Sequence, residues 1–136
     1  MGCKLLLFDL DGTLLRSDKT ISERTLAALF QCRKQGIRIG VSTSRGRQNV
    51  LSFLGALKPD VLITSGGALA EYGSQYIFEA GFSGEETKQV IAAIREVCGV
   101  GCEITADTAD SHYWNYKTDP KKQDPGWGDS IYTDFL

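Results

Sequence analysis

The chain is 136 residues long and 42% hydrophobic, with 15 basic and 17 acidic side chains and a formal net charge of −2. That length predicts one domain with a small appendage, and the slightly acidic balance gives nucleic-acid binding no electrostatic footing. No run approaches the roughly 18 apolar residues of a membrane span, and the first residues do not read as a signal peptide, so no membrane partner and a cytoplasmic address are expected.

Leu5 to Phe8 form an unbroken apolar run that ends in Asp9-Leu10-Asp11-Gly12-Thr13. Such a run closed by Gly predicts a strand buried on both faces, as in a parallel sheet. Two carboxylates one residue apart at its C-terminal end project toward the crevice where open α/β sheets bind ligands. Ionised carboxylates are costly at a buried strand end unless a cation or hydrogen-bond donors compensate them, which points to a metal site beside an anionic substrate. The plainer alternative, a buried strand ending in an Asp-Gly turn, does not explain two carboxylates there.

A helix is predicted over residues 22–35. Ser22 can cap it through the Thr25 N–H, Leu26, Leu29 and Phe30 form an apolar stripe, and Lys34 and Gly36 close it. A second strand, Ile37–Val41, runs into Ser42-Thr43-Ser44-Arg45-Gly46-Arg47, and a second helix, roughly 46–57, stops at Lys58-Pro59-Asp60. Val61–Thr64 predicts a third strand before Ser65-Gly66-Gly67. The order β-α-β-α-β predicts parallel strands with right-handed crossovers, so Thr43 should reach the same sheet edge as Asp9 and Asp11. A hydroxyl there, with the backbone N–H groups entering the next helix, can donate to phosphate oxygens, and Arg45 adds a cation for phosphate or a substrate acid. An ordinary Ser/Thr cap beside a solvated Arg explains this loop taken alone; its position after DLDGT favours the phosphate reading.

Residues 68–72 and 75–79 then predict a hairpin about Gly73-Ser74. Residues 85–98 form an amphipathic helix with Val90, Ile91, Ile94 and Val97 apolar, and Cys102–Thr105 and His112–Lys117 predict strands. Thr118–Asp129 reads as loop, and Ile131–Leu136 is apolar again. Cys3, Cys32, Cys98 and Cys102 have no zinc-like spacing and are read as free buried thiols.

FDLDGTLL resembles the first motif of the haloacid dehalogenase (HAD) superfamily. VSTSRGR is similar to its second motif and closest to the T-G-R pattern of class IIB, Cof-like members, with Ser44 in the Gly position. ITSGGALA resembles their S-N-G-A pattern, with Gly66 in place of Asn. The resemblance implies an α/β, Rossmann-like parallel three-layer core, its N-terminal part in residues 1–80, followed over residues 81–136 by part of an α/β cap. It implies an enzyme, a Mg2+-dependent phosphatase acting through an aspartyl-phosphate on a small phosphorylated metabolite, with sugar phosphates as the family expectation. Asp9 would be the nucleophile and Asp11 the general acid/base. The metal would be held by the Asp9 carboxylate and the Asp11 backbone carbonyl. Gly12, Thr13, Thr43, Ser44 and Arg45 would serve the phosphate and substrate.

The family pattern also needs a Lys and a downstream acidic pair, which in class IIB members lie beyond the cap. Gly128 to Asp134 has one spacing of that acidic motif, GDxxxxD, and Lys121 or Lys122 stands before it. The polar stretch Lys121–Trp127, holding Pro125, does not read as the buried strand that should precede the motif, so a cap loop is expected instead. The rival reading is a non-catalytic module that binds a partner or a phosphorylated ligand without turnover. A phosphate-accepting receiver domain agrees less well, because Thr64-Ser65 stands where such a domain has its acceptor Asp. Residues 1–136 by themselves are expected to show little phosphatase activity, and an uncovered first strand is expected to invite self-association or low stability.

Overall fold

The computed structural model describes residues 2–115 and 131–135. β1 (Leu5–Asp9) pairs in parallel with β2 (Arg38–Ser42), and β2 with β3 (Val61–Thr64). The antiparallel strands β4 (Leu69–Tyr72) and β5 (Gln75–Glu79) extend the sheet, whose order is β1-β2-β3-β4-β5. Asp9 lies opposite Ser42 and Ser42 opposite Ile63, so the parallel strands end almost level.

α1 (Glu23–Lys34) begins as its sequence dictates: Ser22 Oγ accepts from Thr25 N at 3.1 Å, with Glu23 in the first turn and Arg33 and Lys34 in the last. α2 (Arg47–Leu54) is shorter than its apolar pattern suggests. Gly55 takes φ 54° and ends it, and Leu57, expected on the helix, is buried from the following turn, where its N–H bonds Leu54 O at 2.9 Å. Arg47 Nε donates to Glu71 Oε2 at 2.8 Å and ties the start of α2 to β4.

The strands are laid down in one direction, so both right-handed crossovers fall on the same side of the sheet. Leu29 of α1 and Val50 and Leu54 of α2 therefore share one buried cluster with Ile39, Val41, Leu62, Leu10 and Leu14. The expectation that β1 is buried on both faces is corrected here. Leu6 and Phe8 pack against the cluster, but Leu5 and Leu7 are 42% and 47% exposed. The physical reason is twofold: among the described residues β1 is an edge strand and no helix covers its second face.

After the hairpin, α3 (Gly84–Cys98) opens with a capping box in which Ser83 Oγ accepts from Glu86 N at 3.2 Å and Glu86 Oε2 accepts from Ser83 N at 2.7 Å. A second sheet follows in the order β6 (Thr105–Asp107), β7 (His112–Trp114), β8 (Ile131–Tyr132), antiparallel then parallel. The strand expected at 102–105 begins only at Thr105. Asn115 explains the shift: its Oδ1 accepts from Ile104 N at 2.7 Å and its Nδ2 donates to Cys102 O at 2.9 Å, so a side chain takes the place of a partner strand. The four cysteines are unbridged, as expected, but Cys3 and Cys98 are exposed rather than buried. Tyr116 and Lys117 of the expected strand, and the loop 118–129, lie outside the described residues.

Candidate functional site

The first candidate residues sit in a tight turn whose apolar members anchor it. Leu10 and Leu14 are buried, Leu15 N donates to Leu10 O at 2.9 Å, and Gly12 takes φ 73°, a region that costs a side-chain-bearing residue about 1–2 kcal/mol. Asp9, just before those anchors, and Gly12 and Thr13 between them are exposed, and Asp11 is half-buried.

Asp11 is gripped from two sides. Arg45 donates from Nε to Oδ2 at 2.6 Å and from Nη2 to Oδ1 at 2.8 Å, and Lys19 Nζ reaches Oδ1 at 3.2 Å. The Arg45 guanidinium also donates from Nη1 to Asn49 Oδ1 at 2.6 Å and lies over the Phe53 ring, 4.7 Å from its centre. The Arg45 hydrogen bonds, helped by Lys19 and opposed by desolvation, hold the Asp11 carboxyl below the ordinary aspartate range. Sequence reasoning assigned Arg45 to the substrate and missed both Lys19 and Asn49. Asn49 carried a signal, since it stands four residues after Arg45 at the start of α2. Lys19 carried none; it is aimed by the turn in which Arg16 N bonds Thr20 O and Lys19 takes φ 62°.

Thr43 follows β2 directly and is buried. Its N–H bonds Ile63 O at 3.0 Å and its Oγ1 accepts from Arg45 N at 3.1 Å, which leaves the O–H to donate. The turn after β3 braces the same loop: Ser65 N bonds Arg45 O at 2.8 Å and Gly66 N bonds Thr43 O at 3.3 Å. Gly66 takes φ 66°, a conformation suited to Gly or Asn, which accounts for the exchange seen against the S-N-G-A pattern. Ser44 is exposed and does not adopt a positive φ, so a serine fits its place without crowding. The strand ends thus bring Asp9, Asp11, Thr43 and Arg45 to one edge.

Asp9's carboxylate and Asp11's carbonyl are oxygen donors of the kind a hard divalent ion takes, while Asp11's carboxylate is occupied by Arg45 and Lys19. The residues present therefore fit Mg2+ in kind and would supply two of its ligands; among the described residues no three His, Cys, Asp or Glu side chains cluster as a metal site. Lys121, Lys122 and Asp129 lie outside the described residues. The described end of that segment belongs to the second sheet: β8 pairs with β7, and Asp134 O accepts from Arg95 of α3.

Residues 6–132 match a family described as haloacid dehalogenase-like hydrolase. A Streptococcus pyogenes serotype M6 protein named as a phosphatase is 34% identical over 86 residues, 58% of this chain and 32% of that protein. The HMP-PP phosphatase of Shigella flexneri serotype 5b is 36% identical over 63 residues, 46% of this chain and 23% of that enzyme. Among solved structures, an HAD subclass IIB sugar phosphatase superposes with a TM-score of 0.69 at 27% identity, over 85% of this chain and 45% of its own. A haloacid dehalogenase-like hydrolase from Bacillus subtilis shares the fold, with a TM-score of 0.72 at 24% identity over 85% of this chain and 40% of its own. The chain covers 32% and 23% of the length of the curated relatives it matches.

Proposed function

The chain belongs to the haloacid dehalogenase-like hydrolase family, and on that premise we propose that its site hydrolyses monoesters of a small phosphorylated metabolite, a sugar phosphate foremost, in a Mg2+-dependent reaction. The observation that carries this reading is the meeting of Asp9, Asp11, Thr43 and Arg45 at the level ends of three parallel strands. A cytoplasmic address belongs to the same reading; no helix among the described residues is long and apolar enough to cross a membrane.

Asp9 acts as the nucleophile. A carboxylate oxygen attacks phosphorus in line, a new P–O bond forms as the ester P–O bond breaks, and an aspartyl-phosphate results. The Thr43 O–H and the N–H groups entering α2 hold the equatorial oxygens with the Ser44 hydroxyl beside them, Gly12 lets the backbone approach, and Thr13 orients Asp9. Mg2+ held by the Asp9 carboxylate and the Asp11 carbonyl would neutralise phosphate charge. Asp11 delivers a proton to the leaving oxygen and then takes one from the water that opens the intermediate, a role worth about 10²–10⁴-fold. Clamped by Arg45, Asp11 is held in its proton-free form. It must leave the clamp to carry a proton, and an incoming phosphate is the natural competitor for Arg45.

Asp9→Asn is expected to abolish Mg2+-dependent turnover of a panel of phosphate monoesters while keeping the circular-dichroism spectrum, because an amide is a poor nucleophile. Wild-type turnover in that variant would place the nucleophile elsewhere. A second reading, phosphate binding without turnover, is favoured by the two-ligand metal set. Binding of inorganic phosphate with no Mg2+-dependent hydrolysis in the wild-type chain would select it.

A further inference from the structure

The second sheet brings one acid onto the loop that carries Thr43 and Arg45. Asp107 of β6 stands opposite His112 of β7, and Asp107 Oδ1 is hydrogen-bonded to His112 Nδ1. His112 is itself buried and meets Trp114 edge-on, with ring centres 5.9 Å apart. This brace fixes the Asp107 carboxylate against Gly46: a methyl group at Gly46 would lie 2.7 Å from Oδ1 and 3.2 Å from Oδ2. Gly46 is the N-cap of α2 and offers no capping side chain, so a carboxylate resting there also meets the positive end of the helix.

A purely structural cap would commit the carboxylate to the helix N–H groups. Among the described residues Asp107 is hydrogen-bonded to His112 instead, and 27% of its side chain stays exposed. One acceptor oxygen therefore remains open beside the residue that follows Arg45. Gly46 follows Arg45 and opens α2, so the Asp107 carboxylate borders the loop on which the proposed phosphate would rest.

We propose that Asp107, held by His112, is a specificity-determining residue of the site. It accepts a hydrogen bond from an ammonium or hydroxyl group on the organic part of the ester, and its charge disfavours esters that carry a second phosphate there. The substrate class is a monophosphate ester with amino or hydroxyl donors on its organic part. The inference rests on the phosphatase reading.

Calorimetric titration of the full chain with Mg2+ present tests it, using inorganic phosphate, glucosamine 6-phosphate, glucose 6-phosphate and glucose 1,6-bisphosphate. The wild-type protein should bind the amino sugar about tenfold more tightly than the bisphosphate. Asp107→Asn should erase that gap while binding inorganic phosphate at least as tightly as the wild type, whereas Asp107→Glu, which keeps the charge, should retain it. An undiminished gap in Asp107→Asn, or no gap in the wild type, with phosphate binding intact, overturns this inference alone. Loss of inorganic phosphate binding in Asp107→Asn would make the residue a structural contact and overturn it as well. A wild-type protein that binds no inorganic phosphate would overturn the phosphatase reading and this inference with it.

Discussion

At the scale of single residues, the Arg45–Asp11 pair has the largest consequence. A bidentate guanidinium, a second cation at Lys19 and the Phe53 ring all converge on one carboxylate. Asp11's folded-state pKa is depressed, chiefly by the Arg45 hydrogen bonds, so the pair's stabilisation is complete above the ordinary aspartate pKa and is lost as pH falls through the lowered value. Arg45→Ala is expected to cost about 1 kcal/mol at pH 7, a small figure because Asp11 is open to water and the pair is screened. As pH falls below about 4 and through the lowered Asp11 value the gap between variant and wild type should narrow, leaving what the Asn49 and Phe53 contacts contribute. Urea denaturation at both pH values checks this; a gap that widens in acid would mean that Arg45 stabilises by another route.

At the scale of elements, α3 depends on its ends. It has no fully buried residue, so little packing holds it and its capping box carries weight. Ser83→Ala should cost about 1 kcal/mol of local helix stability. Glu86 is held below the ordinary glutamate range, first by the Ser83 backbone hydrogen bond and then by the Ser83 side chain. The box is therefore complete above that ordinary value and weakens as pH falls through the depressed one. Far-UV circular dichroism across that range should show helix loss in the wild type and a flatter profile in Glu86→Gln, whose neutral amide still accepts from Ser83 N.

At the scale of the whole molecule, the described residues cover the sheet on one side. Leu5, Leu7 and Tyr72 are exposed large side chains, and among the described residues no strand pairs with the outer edge of β1. An apolar edge strand with a bare face favours pairing with another chain. The purified protein is expected to show mass above that of a monomer by light scattering, and Leu7→Lys to shift it toward monomer with the fold retained. In contrast, Ile39→Ala, at a fully buried position, should cost about 2–5 kcal/mol and leave the association state alone. A monomeric wild-type protein would show that the edge is protected.

What could be read without coordinates was local. The apolar run of β1, the Ser22 cap and stripe of α1, the hairpin at Gly73-Ser74 and the β-α-β-α-β order all follow from periodicity, capping and turn chemistry within a few residues of each other. The same locality exposed Asp9, Asp11, Thr43 and Arg45 as candidates, because each stands at a strand end marked by its own neighbours. Tertiary structure alone decided which of them touch. The Arg45 grip on Asp11 joins two loops separated by α1 and β2, Lys19 arrives from a turn with no distinguishing pattern, and Asp107 reaches Gly46 from a different sheet. The apolar run of β1 reads the same at a central or an edge place, because only the strands beside it set the burial, so its uncovered position was expected from the family resemblance and not from the run itself. Pattern reports what a segment can bury; register and packing fix what it meets.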